Sequence, residues 1–461
     1  MGGHGMKVIV IGCTHAGTAA VVNIKALYQE AEVVVYERND NISFLSCGIA
    51  LNVGGVITST DKLFYHSPEK LKELGITTKM NHDVQFIDFE AKKIEVKDLK
   101  TGLLFEDTYD KLVLTLGSWP VIPKLKGIEY KNIELCKNYR HALSLIEKTK
   151  TAKKVAVIGA GYIGVELAEA FQRKGKDVTL IDLKPRIMSQ YLDVPFTALA
   201  EKALQEKGVQ LALGEAVQSF EGQEGKVTQV VTDKGRYEAD LVVMCIGFKP
   251  NTELVKDKLQ TLPNGAIVID EYMRTSQQDV FAGGDCCVVH FNPAEDQRYI
   301  PLATNAVRMG TLIAQNLIKP TLRYMGTQGT SAIKIYEYNI ASTGLNEEEA
   351  KASTSYEVGS AMIEENHRPE FMPDYENTLL KLVYDKATGR VLGGQIASKY
   401  DVTEIMNTLS VVIQNGMTVD ELSMTDFFFQ PWFNKPWGLL NQVALAARKN
   451  NKNKTSKENE E

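Results

Sequence analysis

The stretch VAVIGAGYIG, Val155 to Gly164, decides the fold. A short β-branched run meets the turn Gly159-Ala160-Gly161-Tyr162-Ile163-Gly164. A helix-like segment follows, and a second apolar run, VTLID, ends on Asp182. This order predicts a strand–turn–helix–strand unit that binds a dinucleotide. Its glycines permit the tight turn and let the backbone approach a pyrophosphate. The helix N-terminus adds N–H donors and positive potential. Asp182 is placed to accept hydrogen bonds from a ribose and to repel a 2′-phosphate, which favours NADH over NADPH.

The same pattern occurs earlier. VIVIGCTHAG, Val8 to Gly17, leads through a helix-like segment to VVVYE and Glu37. Its turn reads Gly12-Cys13-Thr14-His15-Ala16-Gly17, with Thr14 where a middle glycine is usual and a histidine at the helix start. Two such units predict two nucleotide-binding domains. Further landmarks are YDKLVLTLGSWP (Tyr109 to Pro120), ADLVVMCIGFKPN (Ala239 to Asn251, with Gly247 at its turn), and DVFAGGDC (Asp279 to Cys286). After about residue 322, strand-like runs such as AIKIYEYNIASTGL precede a helix-like EIMNTLSVVIQNG, which predicts an α+β domain. The fold class expected is therefore α/β, with two Rossmann-like domains and a C-terminal α+β domain.

Cys47 is the residue most telling for chemistry. It stands in SFLSCGIA, Ser43 to Ala50, downstream of the first nucleotide signature. A dithiol reductase of this layout would carry a second cysteine five positions on, where this chain has Asn52. A lone thiolate beside a flavin cycles between thiolate and sulfenic acid, which suits reduction of peroxide or oxygen. A helix beginning at Cys47 is expected to lower its thiol pKa. Cys286 and Cys287 are adjacent, and a disulfide between neighbours is strained, so both are read as structural.

Composition sets the bounds. The chain has 461 residues, long enough for about three domains. A formal net charge of −6 leaves no basic footprint for nucleic acid or membrane. No apolar run reaches the length of a membrane span. The six cysteines form no metal-type pairs, so no metal site is expected, and their scatter favours a reducing cytoplasm. Residues 1–5 are read as a tag remnant, with Met6 as the natural start. The polar stretch 448–461 is expected to be a frayed tail.

From Met6 to about Ala447 the chain resembles the NADH oxidase and NADH peroxidase branch of the FAD-dependent pyridine nucleotide–disulfide oxidoreductases. The motifs that carry this are IGCTHAG, SFLSCGIA, LTLGSWP, GAGYIGVELAE, FAGGD, LATNAVRMG and FFFQPWFNKPWG, in that order. The resemblance implies that Gly12, Thr14, His15, Ala16 and Gly17 surround the FAD pyrophosphate turn, with Glu37 on its adenosine ribose. Thr115, Leu116, Gly117, Ser118 and Lys137 would line the dinucleotide. Asp285 would hold the ribityl chain, and Leu302, Ala303 and Thr304 would lie beneath the isoalloxazine. Gly159, Gly161, Ile163, Gly164, Asp182 and Gly247 would bind NADH. Tyr162 would shield the nicotinamide side of the flavin, Glu166 would orient the nicotinamide, and His15 with Cys47 would form the redox pair on the other face.

The resemblance further implies a discontinuous FAD-binding domain (6–118 and 248–322), an NADH-binding domain (119–247) and a dimerisation domain (323–447). It implies a homodimer in which Phe427 to Gly438 reaches toward the partner's flavin. The activity it implies is NADH oxidase, reducing O2 to water with two NADH per O2. Val307 stands where peroxidase relatives typically carry arginine, which leans toward the oxidases. NADH peroxidase, coenzyme A-disulfide reductase and a slow redox-sensing flavoprotein are the alternatives.

Overall fold

A computed structural model of the chain describes residues 5–458; the reading of residues 1–5 as a tag remnant lies almost wholly outside them. Two five-stranded parallel sheets dominate. The first has the order Val280–Ala282, Lys111–Leu114, Lys7–Ile11, Glu32–Glu37, Ile76–Met80. The second has the order Gln210–Leu213, Asp177–Asp182, Lys154–Ile158, Leu241–Met244, Ile133–Leu135. In each, the strand that enters a glycine turn is central, and the strand that ends on an acid lies beside it. Val8, Ile9, Val10, Val155, Ala156 and Val157 are all buried, as central strands covered on both faces require.

Each parallel sheet is accompanied by a three-stranded antiparallel sheet, His82–Asp88, Lys93–Asp98, Leu104–Thr108 in one case and Val217–Gln223, Lys226–Thr232, Arg236–Glu238 in the other. Ser118–Pro120 and Phe248–Pro250 pair antiparallel where the chain passes out of the first sheet region and back. The C-terminal region forms a five-stranded antiparallel sheet packed on helices Ile405–Gln414, Val419–Ser423 and Leu439–Glu458. The single run AIKIYEYNIASTGL is in fact a hairpin, Ser331–Ile335 and Tyr338–Gly344, because Tyr336 turns with φ of 49°.

The stretch 448–461, expected to fray, begins inside the last helix. The last helix runs Leu439–Glu458, and the segment 459–461 lies outside the described residues. Arg448 pairs with Asp420 at 2.6 Å, and the Asn450 side chain donates to the Ser360 carbonyl at 3.4 Å. These tertiary contacts hold the helix as far as Asn450.

A buried ionic clasp ties the segment after Asp182 to the C-terminal sheet. Lys381 lies 2.7 Å from both Asp193 and Glu347, and Gln395 donates to Asp193 at 2.8 Å. Asp193 is 3% exposed and Lys381 8%, so the charges are withdrawn from water and must satisfy one another. Arg186 to Glu348 and Asn346 to the Gln190 carbonyl extend the clasp along residues 186–193.

Candidate active site

The glycine turns explain themselves sterically. Gly12 has φ of 89°, and a Cβ there would collide with the Thr115 carbonyl oxygen. A Cβ at Gly17 would strike the Gly12 carbonyl oxygen. Gly159 and Gly164 repeat this, against Cys245 and Gly159. Gly161 differs: a Cβ there meets nothing in the protein, so glycine at that position is suited to something approaching from outside.

The helix ends give a second test of fit. Helices His15–Leu27, Tyr162–Arg173 and Ala303–Asn316 begin without any side-chain cap. Helices Pro68–Glu73, Tyr139–Thr151 and Glu347–Ser353 are capped by Ser67, Asn138 and Asn346. Helices Ile49–Val53, Val194–Glu206 and Ile405–Gln414 also begin uncapped, so the open N-termini at His15, Tyr162 and Ala303 are compatible with dinucleotides without singling them out. The donor set fits FAD and NADH.

Around the first turn, Glu37 is 4% exposed and accepts from the Cys13 N–H at 2.9 Å and from Asn39 at 2.7 and 2.9 Å. Burial raises its pKa against these bonds. Thr115 donates to the Gly12 carbonyl at 2.7 Å. Leu116 and Gly117 follow, their carbonyls held by Asn251. Ala16 packs where the helix beginning at Leu302, Ala303 and Thr304 passes closest, because Gly310 opposite has no Cβ to block its carbonyl.

Asp285 is gathered with its expected neighbours. Ser118 donates to it at 2.9 Å, and Lys137 reaches Asp285 at 3.1 Å and Ser118 at 2.8 Å. The Lys137 ammonium also lies over the Phe248 ring, 4.6 Å from its centroid. His15 feels this group: burial lowers its pKa, Asp285 opposes that, and Lys137 adds to it.

Around the second turn, Asp182 accepts from the backbone N–H of Ala160 and from that of Lys184 at 2.6 Å. Ile163 packs against the core, and Gly247, with φ of 103°, accepts from Val121 N–H at 2.9 Å. Tyr162 is held from the C-terminal domain, its hydroxyl 2.8 Å from Ser331, and its ring packs on Tyr191 at 4.6 Å. Burial, then the neighbouring Glu169, raise the Glu166 carboxyl to about 7.

Cys47 is exposed and sits in the short turn Ser46–Gly48, followed by helix Ile49–Val53. Its expected low pKa is corrected. Desolvation by the surrounding walls raises the thiol, and Glu166 raises it further. Only the backbone N–H groups of Cys47 and Gly48 pull it down. The helix start is present, but one turn of N–H donors is outweighed by withdrawal from water. Cys286 and Cys287 are buried and free, their sulfurs 3.7 Å apart.

The sequence reading missed Tyr65, Tyr191, Phe248 and Tyr299. Tyr65 Oη lies 3.1 Å from His15 Nδ1 and 3.2 Å from the Thr14 carbonyl oxygen. Tyr299 lies beside Asp285 and Ser118. Phe248 lies in the stretch Ala239 to Asn251 without an assigned role, and Tyr65, Tyr191 and Tyr299 belong to no motif, so no local signal marks them. His15, Lys137 and Asp285 form one electrostatic group, and Cys47 with Glu166 another. Among the described residues, no group of three or more His, Cys, Asp or Glu could hold a metal ion.

Comparison with known proteins agrees with this geometry. Residues 6–310 match the pyridine nucleotide-disulphide oxidoreductase family, and residues 330–438 match its dimerisation domain. An NADH oxidase of Enterococcus faecalis is 56% identical over 96% of this chain and 100% of its own. The structure of a water-forming NADH oxidase from Lactobacillus brevis bound to NADH superposes with a TM-score of 0.96 at 51% identity, covering 98% of this chain and 100% of that one. An engineered water-forming NADPH oxidase derived from the same enzyme, bound to NADPH, has a TM-score of 0.95 at 50% identity, with the same coverage. The chain belongs to the pyridine nucleotide-disulphide oxidoreductase family, with the family's dimerisation domain at its C-terminal end.

Proposed function

We propose that the protein is an FAD-dependent NADH oxidase that reduces O2 to water, consuming two NADH per O2. The observation that carries this reading is the solitary, exposed Cys47 within electrostatic reach of Glu166 on the helix that follows the second glycine turn, with Asn52 where a dithiol partner would stand. FAD, when bound, supplies hydride acceptance from NADH and electron transfer to O2. Gly12, Gly17, Glu37, Thr115, Lys137 and Asp285 would hold FAD, and Leu302, Ala303 and Thr304 would support its ring. Gly159, Gly161, Gly164 and Asp182 hold NADH, Glu166 orients the nicotinamide, and Tyr162 covers the face it approaches.

Cys47 disposes of the peroxide formed at two-electron reduction. Its sulfur attacks one peroxide oxygen, the O–O bond breaks, and the departing hydroxide takes a proton to become water. The resulting sulfenic acid accepts two electrons and two protons, releasing a second water and restoring the thiol. Burial favours the neutral thiol, so the thiol's own proton is the one the departing oxygen takes, and His15 would accept a hydrogen bond from the O–H of the peroxide beside Cys47. The overall change is two NADH, two protons and O2 to two NAD+ and two water molecules.

Oxygen consumption measured against NADH, with and without catalase, tests the reading. Two NADH per O2, unchanged by catalase, supports it. Negligible O2 uptake with rapid H2O2 consumption would make the protein a peroxidase instead. Among the described residues no helix is long and apolar enough to cross a membrane. The working form proposed is a homodimer. Phe428, Phe433 and Trp432 are 70%, 65% and 57% exposed in the single chain, an apolar surface of the kind that a partner covers. Sedimentation is expected to give a dimer that the double variant Trp432→Glu/Phe433→Glu converts to monomer; a fully active unmodified monomer would count against it.

A further inference from the structure

We propose that Tyr65 fixes the tautomer of His15, keeping the proton on Nδ1 and leaving Nε2 as the ring's hydrogen-bond acceptor. The argument begins with the Thr14 carbonyl oxygen, which can only accept. Tyr65 Oη lies 3.2 Å from it and has one proton to give. With that proton directed at Thr14, Oη can only accept from His15 Nδ1, 3.1 Å away. Nδ1 must then carry hydrogen. In the other tautomer Tyr65 would donate to Nδ1 instead, and two oxygen atoms 3.2 Å apart would face each other with no hydrogen between them. The His15 and Tyr65 rings are parallel, with centroids 5.8 Å apart. Nε2 has no hydrogen-bond partner in the protein among the described residues.

The place of Tyr65 is firmly determined. Phe44 pairs with Phe64 as an antiparallel bridge, and Leu45 N–H donates to the Leu63 carbonyl at 2.8 Å. Ser43 Oγ donates to the His66 carbonyl at 2.7 Å and accepts from His66 N–H at 2.8 Å. Ser43 N–H in turn donates to the Cys13 carbonyl at 2.9 Å. The Cys47 segment, the Tyr65 segment and the turn carrying His15 are thus stitched together. Burial holds the Tyr65 phenol at about 12, so its oxygen stays a neutral O–H through the working range, and burial with Lys137 favours neutral His15 against the pull of Asp285. Tyr65 is a positioning residue: it acts on the reaction through His15.

What meets Nε2 rests on the proposed function, in which it accepts the O–H of a peroxide beside Cys47; the tautomer does not rest on it. The test is a two-bond 1H–15N correlation on holoenzyme labelled with 15N-histidine, with His15 assigned by its loss in His15→Gln. The expected pattern is a protonated Nδ1 and an unprotonated Nε2. In Tyr65→Phe the population is expected to shift toward Nε2–H, and the NADH-to-O2 ratio to fall below two, while flavin reduction by NADH stays within about twofold. A protonated Nε2 in the unmodified enzyme overturns the proposal without recourse to any variant, as does a tautomer unmoved by Tyr65→Phe. A tautomer that moves while the NADH-to-O2 ratio stays at two supports the Tyr65 assignment and overturns the peroxide role of His15.

Discussion

Cys47→Ser is expected to consume one NADH per O2 and release H2O2, where the unmodified enzyme consumes two and releases little. Hydride transfer and the first reaction with O2 require no sulfur, so the variant should remain an oxidase. Only the disposal of peroxide needs an atom that can be oxidised and then reduced, and a serine oxygen cannot do this. No neighbouring thiol can replace it. Cys13 and Cys136 are buried with thiols raised to about 12, and Asn52 is committed to its loop through Thr60 at 2.7 Å and the Ile57 carbonyl at 2.8 Å. The measurement is NADH and O2 consumption in parallel, with peroxide trapped by a coupled peroxidase. Water as the only product of Cys47→Ser would remove Cys47 from the peroxide step.

The second large effect concerns donor choice. The kcat/KM for NADH should exceed that for NADPH by about 30- to 700-fold, the equivalent of about 2–4 kcal/mol from lost ribose hydrogen bonds and like-charge repulsion at Asp182. Asp182→Ala should narrow this gap mainly by weakening NADH. Because Asp182 also accepts from the Ala160 and Lys184 N–H groups, its removal loosens the glycine turn for both donors, so NADPH should gain little. Steady-state kinetics with both nucleotides decides; equal kcat/KM in the unmodified enzyme would refute the role. An engineered relative of the same fold is bound to NADPH.

The fold was legible because dinucleotide binding imposes local rules. A strand, a glycine turn, a helix and an acid must follow one another within a few dozen residues, and Gly159 to Asp182 and Gly12 to Glu37 obey this in the chain itself. What escaped is non-local. Tyr65 reaches His15 only because Phe64 pairs with Phe44. Tyr162 is held by Ser331, from a domain far along the sequence. The Cys47 thiol was misjudged for the same reason: its helix start is visible in sequence, but Glu166 and the walls that desolvate it come from elsewhere. The contacts of Arg448 with Asp420 and of Asn450 with Ser360 are likewise invisible in a polar stretch read by itself.

The clasp of Asp193, Lys381 and Glu347 fastens the segment 186–193 to the C-terminal sheet. The segment it anchors carries Tyr191, which packs on Tyr162 at the nicotinamide turn. If the bound nucleotide prefers the anchored segment, it must tighten the grip of the C-terminal sheet by the same factor that the sheet tightens the nucleotide. Occupancy by NADH would then appear as added resistance to unfolding in the C-terminal sheet.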